Sequence, residues 1–156
     1  MVRTVRYLAL LVILLGVVSL AFGVTFIAQG VSKNNMLVNQ MREEKVTYLL
    51  PKEEIAKGNV IDTAEEAEKV ANTVREHRRA IAPSYEELLG AGKFDPTNPK
   101  HVTYAQALNM ENYLYLGVMG FGLIAVVMAS GGFMIITALA LIAIGVALIR
   151  LLKTAT

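Results

Sequence analysis

The stretch YLYLGVMGFGLIAVVMASGGFMIITALALIAIGVALI, residues 113–149, decides the fold. No Asp, Glu, Lys, Arg, His, Asn or Gln interrupts it. In hydrocarbon a backbone must satisfy its own N–H and C=O groups, so such a run becomes helix. A bilayer core is about 30 Å thick and a spanning helix takes roughly 20 residues. The run is far longer than one span and slightly short of two comfortable ones. As one helix it would extend about 55 Å, and its first half would project from the bilayer unless an oligomer buried it. Ser130-Gly131-Gly132, near its middle, is the only strong turn chemistry it contains. Helix length therefore favours a hairpin turning at 130–132, hence three spans. Charge favours the alternative of one long second helix and two spans, because Arg150 and Lys153 would then be cytoplasmic.

Working outward, residues 1–29 form a second apolar segment. Arg3 and Arg6 precede Tyr7–Ala28, which is long enough to span and whose basic flank places the N-terminus in the cytoplasm. Ala21-Phe22-Gly23 resembles a cleavage site, but the apolar stretch continues through Val24, Phe26 and Ile27. The segment is accordingly expected to remain as a signal anchor. The expected class is an all-α membrane protein: an N-terminal span, an outer helical segment at 30–112 and a C-terminal apolar region at 113–156. It would be multi-pass in the cell membrane, with 30–112 outside the cytoplasm.

Composition supports this division. The 156 residues are 54% hydrophobic, and all 13 acidic residues lie between Glu43 and Glu111. Segment 30–112 holds 11 Lys and Arg against those 13 acids, so nucleic-acid binding is not expected. The absence of Cys removes disulfides, thiolate catalysis and Cys-ligated metals.

Within 30–112 the pattern is helical. Ser32–Leu50 continues the first helix, with a possible break at Gly30. Pro51 suits the first turn of a short helix that Gly58 ends. Asp62 to Ala80 carries acids early and arginines late, complementing the helix dipole. Asp62 is the expected cap, with Glu65 three residues on. Ala67, Val70, Ala71, Val74 and Ile81 form a narrow stripe of mostly small residues, suited to close packing. Ser84-Tyr85-Glu86-Glu87 is a second capping box, opening a turn of helix that Gly90 ends. Residues 91–101 read as loop around Pro96 and Pro99. Thr103 begins a helix that runs into the apolar stretch.

No catalytic constellation emerges. His77 and His101 lack any H-x-x-x-H or H-x-H spacing, and the Glu pairs sit in first helical turns, where acids favour the dipole. There is no G-x-S-x-G, and no phosphate loop follows a strand. No Asp, Glu, Lys, Arg or His lies inside a span, which argues against a pump or secondary transporter. Gly117, Gly120, Gly122 and Gly145 include no G-x-x-x-G pair, yet as a set they fit a close helix–helix seam. Arg75, His77, Arg78 and Arg79 form the densest basic cluster, a candidate for an anionic headgroup or acidic partner.

Arg75-Glu-His-Arg-Arg79, Ser84-Tyr-Glu-Glu-Leu-Leu89, the 109–116 lead-in and Gly120-Phe-Gly122 give the chain its likeness. It resembles a loose group of uncharacterised small membrane proteins of actinobacteria and Chloroflexi. Some of that group carry a label as aromatic ring-opening dioxygenases, enzymes that need iron held by His and carboxylates. With two unpaired His residues here, the resemblance implies topology and no mechanism. Two functions follow as expectations, both without metal or cofactor. The first is a non-enzymatic protein that works by association in the membrane, as a homo-oligomer or with a protein partner. The second is an outer sensor that binds a ligand or lipid headgroup through 75–79.

Overall fold

The computed structural model describes residues 2–49, 52–56, 58 and 60–154. Pro51, expected in the first turn of the short helix, Leu50 and Thr156 lie outside the described residues. The fold is all-α. Helices α1 (Val2–Glu43), α2 (Lys52–Ala56), α3 (Ala64–Ile81), α4 (Tyr85–Leu89) and α5 (Pro99–Thr154) are joined by a 3-10 turn at Val46–Leu49 and short loops. No strand occurs among the described residues. The helices α1 and α5 are both long and apolar enough to cross a membrane.

The expected hairpin is not there. Residues 130–132 lie inside α5, which runs 56 residues without interruption. Ser130 donates its hydroxyl to the Val126 carbonyl one turn back, at 2.8 Å, as Ser does inside helices. Gly131 is buried, and a Cβ there would lie 2.9 Å from the Gly23 carbonyl oxygen. In this stretch glycine provides close backbone approach and not a turn. Nor does α1 break at Gly30, which is buried against Met128.

The chain forms two compact units. The first takes residues up to Lys33 and from Ile124 onward. It is an antiparallel pair of helices in which Ala9 meets Gly145, Gly16 meets Ala138 and Gly23 meets Gly131. A Cβ added at Gly16 would stand 3.0 Å from the Ala138 carbonyl, and one at Gly23 would stand 2.8 Å from the Gly131 carbonyl. Ala9, Gly16, Gly23 and Gly30 recur every seven residues, as do Gly131, Ala138 and Gly145. All seven are buried. A strict seven-residue repeat keeps one seam facing its partner and winds the pair left-handed. The Ser19 hydroxyl adds a cross-helix hydrogen bond to the Met134 carbonyl, 3.0 Å. Ile13, Ile135 and Ile142 pack beside these small residues, while other large side chains point away: Leu14 is 59% exposed and Phe133 71%.

The second unit, residues 34–123, is a helical head with its own core. Met41, Val46, Ile61, Leu114 and Phe121 pack with the α3 stripe Ala67, Val70, Ala71 and Val74. From Ala67 to Val74 the stripe is thus where the spacing placed it, consumed inside the chain, while Ile81 is only half-buried and lies outside that core. Two boundaries differ from expectation. The cap of α3 is Thr63, whose hydroxyl accepts from the Glu66 N–H at 3.2 Å. The Glu66 carboxylate reaches back to the Asp62 N–H at 3.1 Å. Thr63-x-x-Glu66 is therefore the capping box, one residue later than the Asp62 reading, and threonine's hydroxyl serves both partners. Helix α5 begins at Pro99, not Thr103. Asn98 caps it, accepting from the Lys100 N–H at 3.0 Å, and Pro99 occupies the first helical position, where its missing N–H costs nothing. Ser84 caps α4 as expected, accepting from the Glu87 N–H. Gly58 and Gly90 take the left-handed backbone that ends short helices.

Candidate functional site

The head holds one buried polar seam, built between α3 and α5. Arg78 continues the α3 stripe one turn beyond Val74, so its stem enters the interior. On α5, Tyr104, Glu111 and Leu114 recur on one buried face. The Arg78 Nε donates to Glu111 Oε2 at 2.6 Å, and its Nη1 donates to the Tyr104 hydroxyl. Both charges are nearly sealed, with Arg78 8% and Glu111 6% exposed. The hydrogen bond to Glu111 raises the Arg78 pKa above its ordinary value, against the opposing effect of burial. One turn earlier, the Asn72 carboxamide oxygen accepts from Arg75 Nη2 at 2.7 Å and from the Tyr115 hydroxyl at 2.8 Å. The Arg75 guanidinium lies 5.8 Å from the Tyr115 ring centroid, within cation–π range.

The basic cluster of the sequence thus divides. Arg75 and Arg78 are engaged by α5, while His77 and Arg79 are exposed on the other side of α3. The four side chains do not converge on a common point. His101 closes the loop ahead of α5: its Nδ1 accepts from the Asp95 N–H at 3.0 Å, and its ring lies 5.7 Å from Phe94. Asp95 accepts from the Thr97 hydroxyl and N–H, and those bonds hold its carboxyl below the usual range. Among the described residues, no group of three or more His, Asp or Glu side chains comes together.

The head also carries a groove of about 450 Å³ lined by Glu44, Val46, Gln106, Asn109, Met110, Asn112, Tyr113 and Leu116. None of the 75–79 residues lines it. Both features leave a usable signal in the sequence. Arg78 falls at i+4 from Val74 on the apolar stripe, and Gln106, Asn109 and Asn112 repeat every three residues on a helix otherwise turning apolar.

No protein-family model matches this chain, and neither a curated protein nor a solved structure is similar to it.

Proposed function

We propose that this chain is an integral protein of the cell membrane with two spans, its head (34–123) outside the cytoplasm, and that it works by association and not by catalysis. The observation that carries the topology is charge at one end of the helix pair. Because Ala9 meets Gly145, the antiparallel register brings the Arg3 and Arg6 end of α1 level with the Arg150 and Lys153 end of α5. These are the only four basic residues outside the head apart from Lys33. Two independent segments then obey the positive-inside tendency together. The three-span alternative would have split those charges between the two sides.

Exposure supports the membrane. The most apolar windows of α1 and α5 are each only 11% buried. A core helix of a soluble protein would cover such side chains, whereas lipid covers them here. Association is supported by the head itself. Leu116, Met119 and Leu123 are 65%, 70% and 66% exposed, while Leu114, Gly117 and Phe121 on the opposite face are buried. Met41 and Leu37 pack at Gly117 and Gly120, which sets this stripe level with the exposed polar residues Asn35, Asn39 and Gln40. An apolar stripe at coiled-coil spacing beside polar residues is suited to a further helix, from another copy or an accessory partner.

The topology is tested by cysteine labelling, which the Cys-free sequence makes simple. Thr4→Cys, Lys100→Cys and Thr154→Cys are exposed to a membrane-impermeant maleimide in intact cells. Only Lys100→Cys should react, and labelling of Thr154→Cys would refute the two-span reading. Association is tested by native mass spectrometry from mild detergent. An oligomer or a stoichiometric companion is expected, and Met119→Lys should release it. A wild-type chain that runs alone would overturn the association reading.

A further inference from the structure

Two groups of polar residues stand out on α5 within the head. Tyr104, Glu111 and Tyr115 are committed to α3 through hydrogen bonds. Gln106, Asn109 and Asn112 face the groove instead, and among the described residues their side chains make no hydrogen bond, nor does that of Glu44. The groove has an apolar floor, with Val46 4% exposed and Met110 half-buried. Tyr113 presents its ring at one side, 38% exposed. At about 450 Å³ the cavity lies in the usual range for small-ligand sites, roughly 300–1,000 Å³.

We propose that this groove is a binding site for a neutral or amino saccharide. A carboxamide both donates and accepts, as a hydroxyl does, so three carboxamides in a row match a polyhydroxylated ligand. Among the described lining residues the one formal charge is the Glu44 carboxylate, which only accepts. With no cation among the described lining residues, phosphate and sulfate groups are disfavoured, and hydroxyl or ammonium groups are favoured. The Tyr113 ring, the Val46–Met110 floor and the exposed Leu116 at the rim suit the C–H face of a sugar ring. Spacing disfavours an extended peptide. Side chains three apart on a helix rise about 4.5 Å per step. An extended strand repeats its groups on one side about every 6.7 Å, out of step with that ladder. The site is independent of the association stripe except at Leu116, and its test does not depend on membrane topology.

The test uses the full chain in a sugar-free detergent, since glycosidic detergents would compete. Cellobiose, chitobiose and N-acetylated chitobiose are each titrated by saturation-transfer NMR. At least one should bind. Asn109→Ala and Gln106→Ala should each weaken it by about tenfold, the loss of one or two hydrogen bonds, and His77→Ala should leave it unchanged. All three positions are exposed, and an unaltered helical spectrum and melting temperature would show that each variant still folds. Failure of all three saccharides to bind would overturn the proposal. So would binding that survives both carboxamide substitutions, or a polar peptide binding where the sugars do not.

Discussion

Between residues 9 and 30, α1 meets α5 through glycine and alanine backbones; between residues 37 and 46, the chain packs through Leu, Met and Val side chains. The first region carries most of its large side chains outward and no ion pair. The second buries Tyr104, Met41, Ile61, Leu114 and Val70, and seals an Arg–Glu pair among them. In the proposed topology the contrast follows from what each region competes with. In lipid, one apolar side chain gains little by leaving hydrocarbon for another, so association depends on close van der Waals approach, which small residues permit. In water, burying a large apolar side chain contributes about 1.5–3 kcal/mol, so bulk is favoured. The same two helices thus switch from small residues to large ones along their length. The difference marks a change of solvent in the proposed topology.

The sharpest way to break this comparison is at the buried pair. Glu111→Ala strands the Arg78 charge inside the head and should destabilise it by about 3–5 kcal/mol. The double variant Arg78→Met with Glu111→Leu removes both charges and fills the space, and it should recover most of that loss. Thermal unfolding in detergent, followed by hydrogen exchange at α3 amides, measures both. If Glu111→Ala melts as wild type does, the pair is not sealed from water and the head is not packed as described.

The helix pair is probed by two glycines of opposite environment. Gly23→Leu would drive a side chain into the Gly131 carbonyl and Ile135, and backbone cannot yield as a side chain can. A loss of about 1–3 kcal/mol or more is expected. A Cβ at Gly132, one residue beyond Gly131, meets nothing within 4 Å. Gly132→Leu should therefore stay within about 0.5 kcal/mol. Equal melting temperatures for the two variants would show that the seven-residue seam does not hold the pair together.

The sequence made the all-α class, both long apolar helices, the α3 stripe and the Ser84 cap legible, because each rests on local spacing or composition. The course of α5 was not legible by the same means. Ser130-Gly131-Gly132 carries turn chemistry in water, but inside an apolar helix its small size serves helix contact, and only the partner helix decides between the two. The seven-residue recurrence of Ala9, Gly16, Gly23 and Gly30 lay in the sequence, outside the four-residue spacing by which such seams are usually sought. The Arg78–Glu111 pair joins positions 33 residues apart, so no local pattern reports it. The basic cluster at 75–79 looked unified as a string, yet helical geometry sends Arg78 inward and His77 and Arg79 outward.

The smallest effects concern the surface of the head, where the register of one cap can be settled. Thr63→Ala removes the hydroxyl that accepts from the Glu66 N–H and donates to its carboxylate, at a cost of about 1 kcal/mol. Asp62→Asn removes no cap, and its consequence is electrostatic. Burial, then the neighbouring Glu66 charge, raise the Asp62 pKa. Burial also opposes ionisation of Glu66, but hydrogen bonds from the Asp62 N–H and the Thr63 hydroxyl outweigh it and lower the pKa. The signs oppose each other. The Glu66 contribution is present above its unfolded pKa and is lost as pH falls through its depressed folded value. The Asp62 penalty is present above its raised folded value and is relieved as pH falls through it. In the wild type the two partly cancel on acidification. Asp62→Asn should be as stable as wild type or slightly more so at pH 7, and should lose stability more steeply as pH falls through the carboxylate range. Glu66→Gln should show the reverse, a weaker cap at pH 7 and a shallower acid limb. Melting temperatures of the three variants at pH 7 and across that range decide the matter: a larger loss at pH 7 from Asp62→Asn than from Thr63→Ala would move the cap back to Asp62.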